Sequence, residues 1–182
     1  MKKIVALVFL CTALTACSSS GILTVKQPMV EKIPPDRTVS LSIDIVKGKE
    51  TEEDFITVKS RIGEKIYARL LAEGIFRSVF RAPQPADYTL DLVITGARVV
   101  SGAARVWGGV MAGHNNAQLD VTLTESATRK TVAVFNVDGM SASHPFSSEN
   151  SLDDALREAV EDIVDVLKGV PVQDNKTGTQ PG

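Results

Sequence analysis

The chain has 182 residues, with 20 lysines and arginines against 22 aspartates and glutamates and a formal net charge of −2. This acidic balance argues against nucleic acid as a partner, because binding to phosphate backbones needs a concentration of basic residues. The 2 cysteines are Cys11 and Cys17. Their position near the start excludes a disulfide or a zinc-thiolate site in the chain beyond them.

The first residues are typical of a secreted bacterial lipoprotein. A basic start is followed by an apolar run that is too short to span a membrane as a helix. The end of that run, Leu14-Thr-Ala-Cys17, resembles the bacterial lipobox. The resemblance implies a signal peptide over residues 1–16, acylation of Cys17 and, with Ser18 next, sorting to the outer membrane of a Gram-negative bacterium. The alternative is a plain secretory signal with a chance cysteine.

The composition divides the rest of the chain into three parts. Residues 17–37 contain Ser, Gly, Lys and three prolines, which predicts a lipidated N-terminus and a flexible tether. Residues 38–168 carry regular apolar periods and are long enough for a single domain. Residues 169–182 have no apolar period, so we expect a disordered tail.

The first half of the domain predicts a strand, a helix and a short strand. In residues 38–46 apolar and polar side chains alternate, which is typical of a strand with one buried and one solvent-exposed face. Thr51-Glu-Glu-Asp54 resembles a capping box, and a helical apolar period then runs to Gly74, a predicted C-cap. Residues 75–81 follow as a short edge strand, which the prolines after it end.

The second half predicts three strands and a helix. Residues 87–95, 117–124 and 131–137 each alternate, and Ser126 to Lys130 turns the chain between the last two. A final helix starts near Ser151, with Leu156 and Ile163 on its buried face and Asp162 on the opposite, solvated face. These elements predict an α+β two-layer sandwich, in which a mixed, mostly antiparallel sheet carries two helices on one face.

The connection between the second and third long strands is too long for an ordinary hairpin and is rich in glycine. Three interpretations are open. The strands could run past the sheet with Trp107 packed on the rim; a short helix with small residues could pack on another copy; or the tip could contact lipid or a partner. We expect the packed rim, in which the glycines serve backbone geometry. The possible contact residues are Trp107, Gly108, Gly109, Val110, Met111 and Gly113.

Several segments together resemble a group of bacterial envelope lipoproteins that carry a domain of unknown function. They are Ala86-Asp-Tyr-Thr-Leu90, Ser101-Gly-Ala-Ala-Arg105, Leu119-Asp-Val-Thr-Leu-Thr-Glu125 and Val132-Ala-Val-Phe135, with the glycine-rich connection between them. The resemblance implies a binding or assembly role without catalysis. We therefore expect no cofactor, and as partners the membrane through the lipid anchor and either an unidentified envelope protein or another copy.

The alternative function is hydrolysis of an envelope polymer. His114 and His144 are the only histidines, and neither has a second histidine at a spacing that suits a metal. The serines lack the glycine context of a nucleophile elbow. We therefore expect no catalytic residue and no metal site. A pocket that gathers a histidine with an acid would favour the enzyme, whereas an exposed apolar connection or an open strand edge would favour binding.

Overall fold

The computed structural model describes residues 20–108, 113–141 and 151–169. Within these residues the chain forms six strands and three helices. In chain order they are β1 (Ser20–Gln27), β2 (Thr38–Ile45), α1 (Glu53–Glu73), β3 (Ser78–Arg81), β4 (Tyr88–Arg98), α2 (Gly102–Gly108), β5 (Asn116–Glu125), β6 (Thr131–Met140) and α3 (Ser151–Leu167). No helix among the described residues is long and apolar enough to cross a membrane.

All six strands form one mixed sheet in the order β1-β6-β5-β4-β2-β3. The β4-β5-β6 meander and the β1-β6 pair are antiparallel, whereas β2 runs parallel to both β3 and β4. The parallel pairs arise because α1 carries the chain back across the sheet between β2 and β3. The predicted α+β fold, with a mixed and mostly antiparallel sheet, is confirmed.

The core lies between the sheet and the two long helices, which pack on the same face and contact each other. Small residues let α3 come close to the strands beneath it. A Cβ added to Gly139 would lie 2.0 Å from the carbonyl oxygen of Ala155, and one added to Gly21 would lie 2.6 Å from Oδ2 of Asp162. A larger residue at Gly139 would therefore push the helix off the sheet, since the obstructing atom belongs to backbone.

The helix ends agree in part with the prediction. Gly74 adopts the left-handed conformation (φ 62°) as the C-cap of α1. The capping box is wrong, because the N-cap is Glu52 and no side chain caps it. Asp54 is used differently: its carboxylate accepts a hydrogen bond from the backbone N–H of Val99 at 3.1 Å.

Two further predictions need correction. The tether is wrong over residues 20–27, because this segment is an edge strand paired with β6 in register from Ser20↔Met140. Its side chains at Leu23 and Val25 pack against the core, which supplies the free energy that keeps it on the sheet. The solvated position of Asp162 is also wrong: Oδ2 of this residue is buried near Gly21. Ile163 and Leu156 are fully buried, as predicted.

The strand registers define two ends of the sheet. At one end, Ser20 pairs with Met140, Met140 with Asn116, and Asn116 with Arg98; we call this the Ser20 end. At the other, Tyr88 pairs with Glu125; we call this the Tyr88 end. The glycine-rich connection joins Arg98 to Asn116 and therefore lies at the Ser20 end.

Candidate contact surfaces

The base of the glycine-rich connection is held by buried hydrogen bonds. The Asn115 side chain, 1% exposed, accepts a hydrogen bond from the backbone N–H of Val100 at 2.5 Å. The backbone N–H of Asn115 donates to the Ser141 hydroxyl, and the Ser141 N–H donates to the Asn115 carbonyl, both at 3.0 Å. These bonds tie the connection to the end of β6 and fix where it leaves the sheet.

Beyond this base the chain forms α2, whose exposed side chains include Trp107. The Ser101 hydroxyl accepts a hydrogen bond from the backbone N–H of Ala104 at 3.2 Å, the geometry of an N-cap. Trp107 is 90% exposed, so the expectation that it packs on the rim is wrong. Both long helices cover the sheet itself, and the described chain places no second layer over this short helix.

The glycines of the connection have different roles. Gly113 has φ +83°, and a Cβ added there would lie 3.1 Å from Nη2 of Arg98, so backbone geometry requires glycine at this position. Gly108 is the last residue of α2. The other predicted contact residues, Gly109, Val110 and Met111, lie outside the described residues, as do Cys17 and Ser18.

The sheet face opposite the helices is a second candidate surface, because no described element covers it. It carries a series of polar side chains at the positions that alternate with the core: Thr24, Ser42, Asp44, Thr89, Asp91, Thr95, Gln118, Asp120, Thr122, Thr124, Asn136 and Asp138. Burial raises the pKa of Asp91, and the nearby charge of Asp44 raises it further. We call this surface the open face; its character is acidic and rich in hydroxyl and amide groups.

A groove of about 240 Å³ lies on the open face between β1 and β4. Two cross-strand hydrogen bonds lie along it: Gln118 Nε2 donates to Asp138 Oδ2 at 2.9 Å, and Asn136 donates to Asp120. Oδ1 of Asp138 is buried and has no hydrogen-bond partner among the described residues. The two cross-strand bonds hold the polar side chains of β5 and β6 in place along the groove.

A pocket of about 310 Å³ lies at the Tyr88 end, lined by residues that include Arg37, Asp87, Tyr88 and Glu125. The backbone N–H of Thr38 and the Thr38 hydroxyl both donate to Asp87 at 2.8 Å and hold the pKa of this carboxyl below its usual range. Burial raises the pKa of Tyr88, and the Glu125 charge adds to that effect. Asp87 thus joins β2 to β4, which makes its role in this pocket structural.

The described chain contains no cluster of side chains typical of a metal site. No group of three or more histidines, cysteines, aspartates and glutamates lies close enough together to hold a metal ion in this part of the chain. His114 is half-buried beside Asn115, and the ion pairs among the described residues do not include it. His144 lies outside the described residues.

Comparison with known proteins identifies the domain. The family described as "Domain of unknown function (DUF4410)" matches residues 25–145. The chain belongs to this family. The predicted resemblance to proteins with a domain of unknown function is therefore confirmed, while the lipoprotein part of that prediction remains a prediction. Comparison with curated proteins finds no match.

Solved structures share the fold of this family member at low sequence identity. A dodecamer of a PelC variant with one substitution, from Paraburkholderia phytofirmans, has a TM-score of 0.54 and 19% identity, covering 82% of this chain and 98% of the other. The PelC dodecamer in another crystal form has a TM-score of 0.52 and 18% identity over the same shares. At this identity the likeness shows the fold alone.

The sequence predictions missed the groove and the strand β1, for different reasons. The groove depends on which strands are neighbours, since Gln118 and Asp138 are 20 residues apart in the chain. The strand β1 did have a local signal, because Ile22, Thr24 and Val25 are β-branched residues typical of strands. The prolines at 28, 34 and 35 in the same region favoured a tether instead.

Proposed function

We propose that this protein is an outer-membrane lipoprotein, anchored through Cys17, whose domain is a binding and assembly module for another envelope component. The domain faces the periplasm, and its partner is an envelope protein or a second copy of the chain. The lipobox-like sequence supports the anchor. The open face of the sheet, with its groove, is the observation that carries the binding role.

The open face supports binding because its chemistry is suited to hydrogen-bond donors. It combines carboxylates with hydroxyl and amide groups, and Thr24, Asp120 and Asn136 line the groove. A partner that places N–H or O–H groups in the groove would donate hydrogen bonds to these side-chain oxygens and so gain affinity. The exposed Trp107 and the outer edge of β1, with which no described strand pairs, also favour binding over the alternative of an envelope-polymer hydrolase.

Self-association is the first form of assembly to test. The PelC structures, which share the fold, are described as dodecamers. Among the residues that the structure describes, the open face and the outer edge of β1 are uncovered, and a second copy could bury either surface.

Site-specific photocrosslinking in cells tests the binding role directly. A photoreactive residue placed at Thr24, which lines the groove, should give discrete crosslinked products that contain a second envelope protein or a second copy. The matched control is the same residue at Ser60, an exposed position of α1 in the helix layer. If Thr24 gives no product while Ser60 does, the partner binds the helix layer and the open face is not the binding surface.

The anchor has a separate test. Cys17→Ser should remain as a precursor that is not labelled by radioactive palmitate, because the sulfur that accepts the lipid is gone. Ser18→Asp should keep the label but shift the protein towards the inner membrane. Normal palmitate labelling and normal outer-membrane fractionation of Cys17→Ser would contradict the lipoprotein proposal.

A further inference from the structure

The first residue of β1 is very close to the predicted lipid-bearing cysteine. Ser20 is only three residues after Cys17, and three residues can span at most about 11 Å. Because β1 is paired to β6 from Ser20 onwards, this short link is all that separates the sheet from the anchor. A lipid on Cys17 would therefore hold the Ser20 end of the sheet beside the lipid headgroups.

The glycine-rich connection lies at this same end of the sheet. It leaves β4 at Arg98 and returns to β5 at Asn116, and these strands are three and two positions away from β1 in the sheet. With neighbouring strands about 4.8 Å apart, the lateral distance from Ser20 to the connection is about 10 to 14 Å. That distance is similar to the reach of the link, so α2 and the anchor would meet the same patch of membrane.

Three of the five large exposed hydrophobic residues of the described chain lie at this end. Trp107 is 90% exposed, Ile22 is the third residue of β1 and 47% exposed, and Ile56 is in the first turn of α1 and 49% exposed. The remaining large exposed hydrophobic residues of the described chain, Val30 and Leu71, lie towards the Tyr88 end and are far apart in sequence. Single exposed apolar residues are common, but an exposed tryptophan beside a lipid anchor matches the preference of indole for the membrane interface.

We propose that the Ser20 end of the sheet faces the membrane and that Trp107 inserts its ring into the interfacial region of the lipid leaflet. This inference rests on the lipidation of Cys17 in the proposed function. The lipid chains supply the affinity, and α2 supplies a second contact that orients the domain. The hydrogen bonds at Asn115 and Ser141 make this contact firm, because they fix the base from which α2 projects.

This orientation has a consequence for the rest of the surface. The Tyr88 end would point away from the membrane, and the open face would stand roughly perpendicular to it. A second copy anchored in the same leaflet would then reach the open face or the β1 edge by lateral diffusion. The binding role of the open face and this orientation at the membrane are therefore compatible, and either of these two can fail without the other.

Trp107 is the only tryptophan in the chain, so its fluorescence tests the inference without mutation. The lipidated protein, with acylation verified by mass spectrometry, is reconstituted into vesicles of phosphatidylethanolamine and phosphatidylglycerol. We expect blue-shifted emission and strong quenching by lipids brominated near the headgroup, with weaker quenching by lipids brominated near the chain end. Soluble iodide should quench weakly.

A matched control moves the reporter to the other end of the sheet. The double substitution Trp107→Phe with Ala127→Trp places the tryptophan in the exposed turn between β5 and β6. Its emission should stay red-shifted, quenched by iodide and insensitive to brominated lipid. Similar quenching of both proteins by brominated lipid would overturn the orientation.

Two other results would also overturn the inference, and each has a different meaning. Emission from Trp107 that is red-shifted and quenched by iodide would show that the ring stays in water on a correctly lipidated protein. Emission that is blue-shifted but insensitive to brominated lipid would show that another copy covers the ring. Absence of acyl chains in the mass spectrum would instead contradict the proposed function, before any fluorescence is measured.

Discussion

At the Tyr88 end of the sheet, residues 126–130 alone reverse the chain between β5 and β6, and the carboxylate of Asp87 joins two neighbouring strands. At the Ser20 end, residues 99–115 connect β4 to β5 through a separate helix and leave Trp107 exposed. Hydrogen bonds fix the chain at both ends, through Asp87 at one and through Asn115 and Ser141 at the other. The difference is that the Ser20 end carries the exposed tryptophan and three of the five large exposed hydrophobic residues of the described chain, on the side where the predicted anchor would place a lipid surface.

Both ends depend on the same core, so the largest expected effect comes from damage to it. Ile163→Asp would place a charge without a partner at a fully buried position of α3 and should cost about 4 kcal/mol or more, enough to unfold a domain of ordinary stability. Urea unfolding followed by circular dichroism measures it. The control is Asp165→Ala, an exposed position of the same helix, which should change the free energy of unfolding by less than about 0.5 kcal/mol. Equal losses for both would contradict the orientation of α3.

The base of the Ser20 end can be weakened alone. Asn115→Ala removes the acceptor for the N–H of Val100 and should cost about 1 to 3 kcal/mol, because that donor then lacks a partner. Asn116→Ala is the neighbouring control; this residue is only half-buried and should change the free energy of unfolding by less than about 0.5 kcal/mol. If the two variants unfold at the same urea concentration, the bond at Asn115 does not hold the connection.

The Tyr88 end should respond to acid through Asp87. The hydrogen bonds from Thr38 lower the pKa of Asp87 in the folded protein below its value in the unfolded chain, which is about 3.9. The stability that this carboxylate contributes is therefore fully present above the unfolded pKa and is lost as the pH falls through the folded pKa. Asp87→Asn should be less stable than the wild type at neutral pH, and the difference should shrink as the pH falls from about 5 to about 2.

Urea midpoints measured across that pH range check the Asp87 prediction. Asp36→Asn, an exposed aspartate next to Arg37, serves as the control and should follow the wild type throughout. A constant difference between Asp87→Asn and the wild type at every pH would mean that the charge of Asp87 contributes nothing to stability.

The smallest expected effect on stability is at the exposed tip of the Ser20 end. Trp107→Ser should change the free energy of unfolding of the detergent-solubilised protein by less than about 0.5 kcal/mol, because the ring is 90% exposed. A packed tryptophan would instead cost about 3 to 5 kcal/mol on truncation. Thermal unfolding separates the two cases clearly. A loss of free energy of unfolding of about 3 to 5 kcal/mol would mean that Trp107 is packed on the rim. The exposure of Trp107 would then no longer distinguish the Ser20 end from the Tyr88 end.

Local sequence patterns determined most of the elements. The alternation in residues 38–46, 87–95, 117–124 and 131–137 predicted four of the strands, since a period of two has one physical cause, burial of a single sheet face. The buried positions of Leu156 and Ile163 followed in the same way from the helical period. Gly74 was recognised as a C-cap because only glycine readily adopts the left-handed conformation that ends a helix there.

Tertiary structure decided the features that depend on neighbours far away in the chain. Ser20–Gln27 is a strand because β6 offers a free edge and the core accepts Leu23 and Val25, neither of which a local pattern contains. Trp107 is exposed because neither long helix packs over α2, although its sequence context suits burial equally well. The sequence by itself thus determined the four long strands of alternating pattern and the two long helices, as local periodicity reports burial. Only strand pairing decided which end of the sheet holds both Ser20 and Trp107, because hydrogen bonds between distant strands set the register.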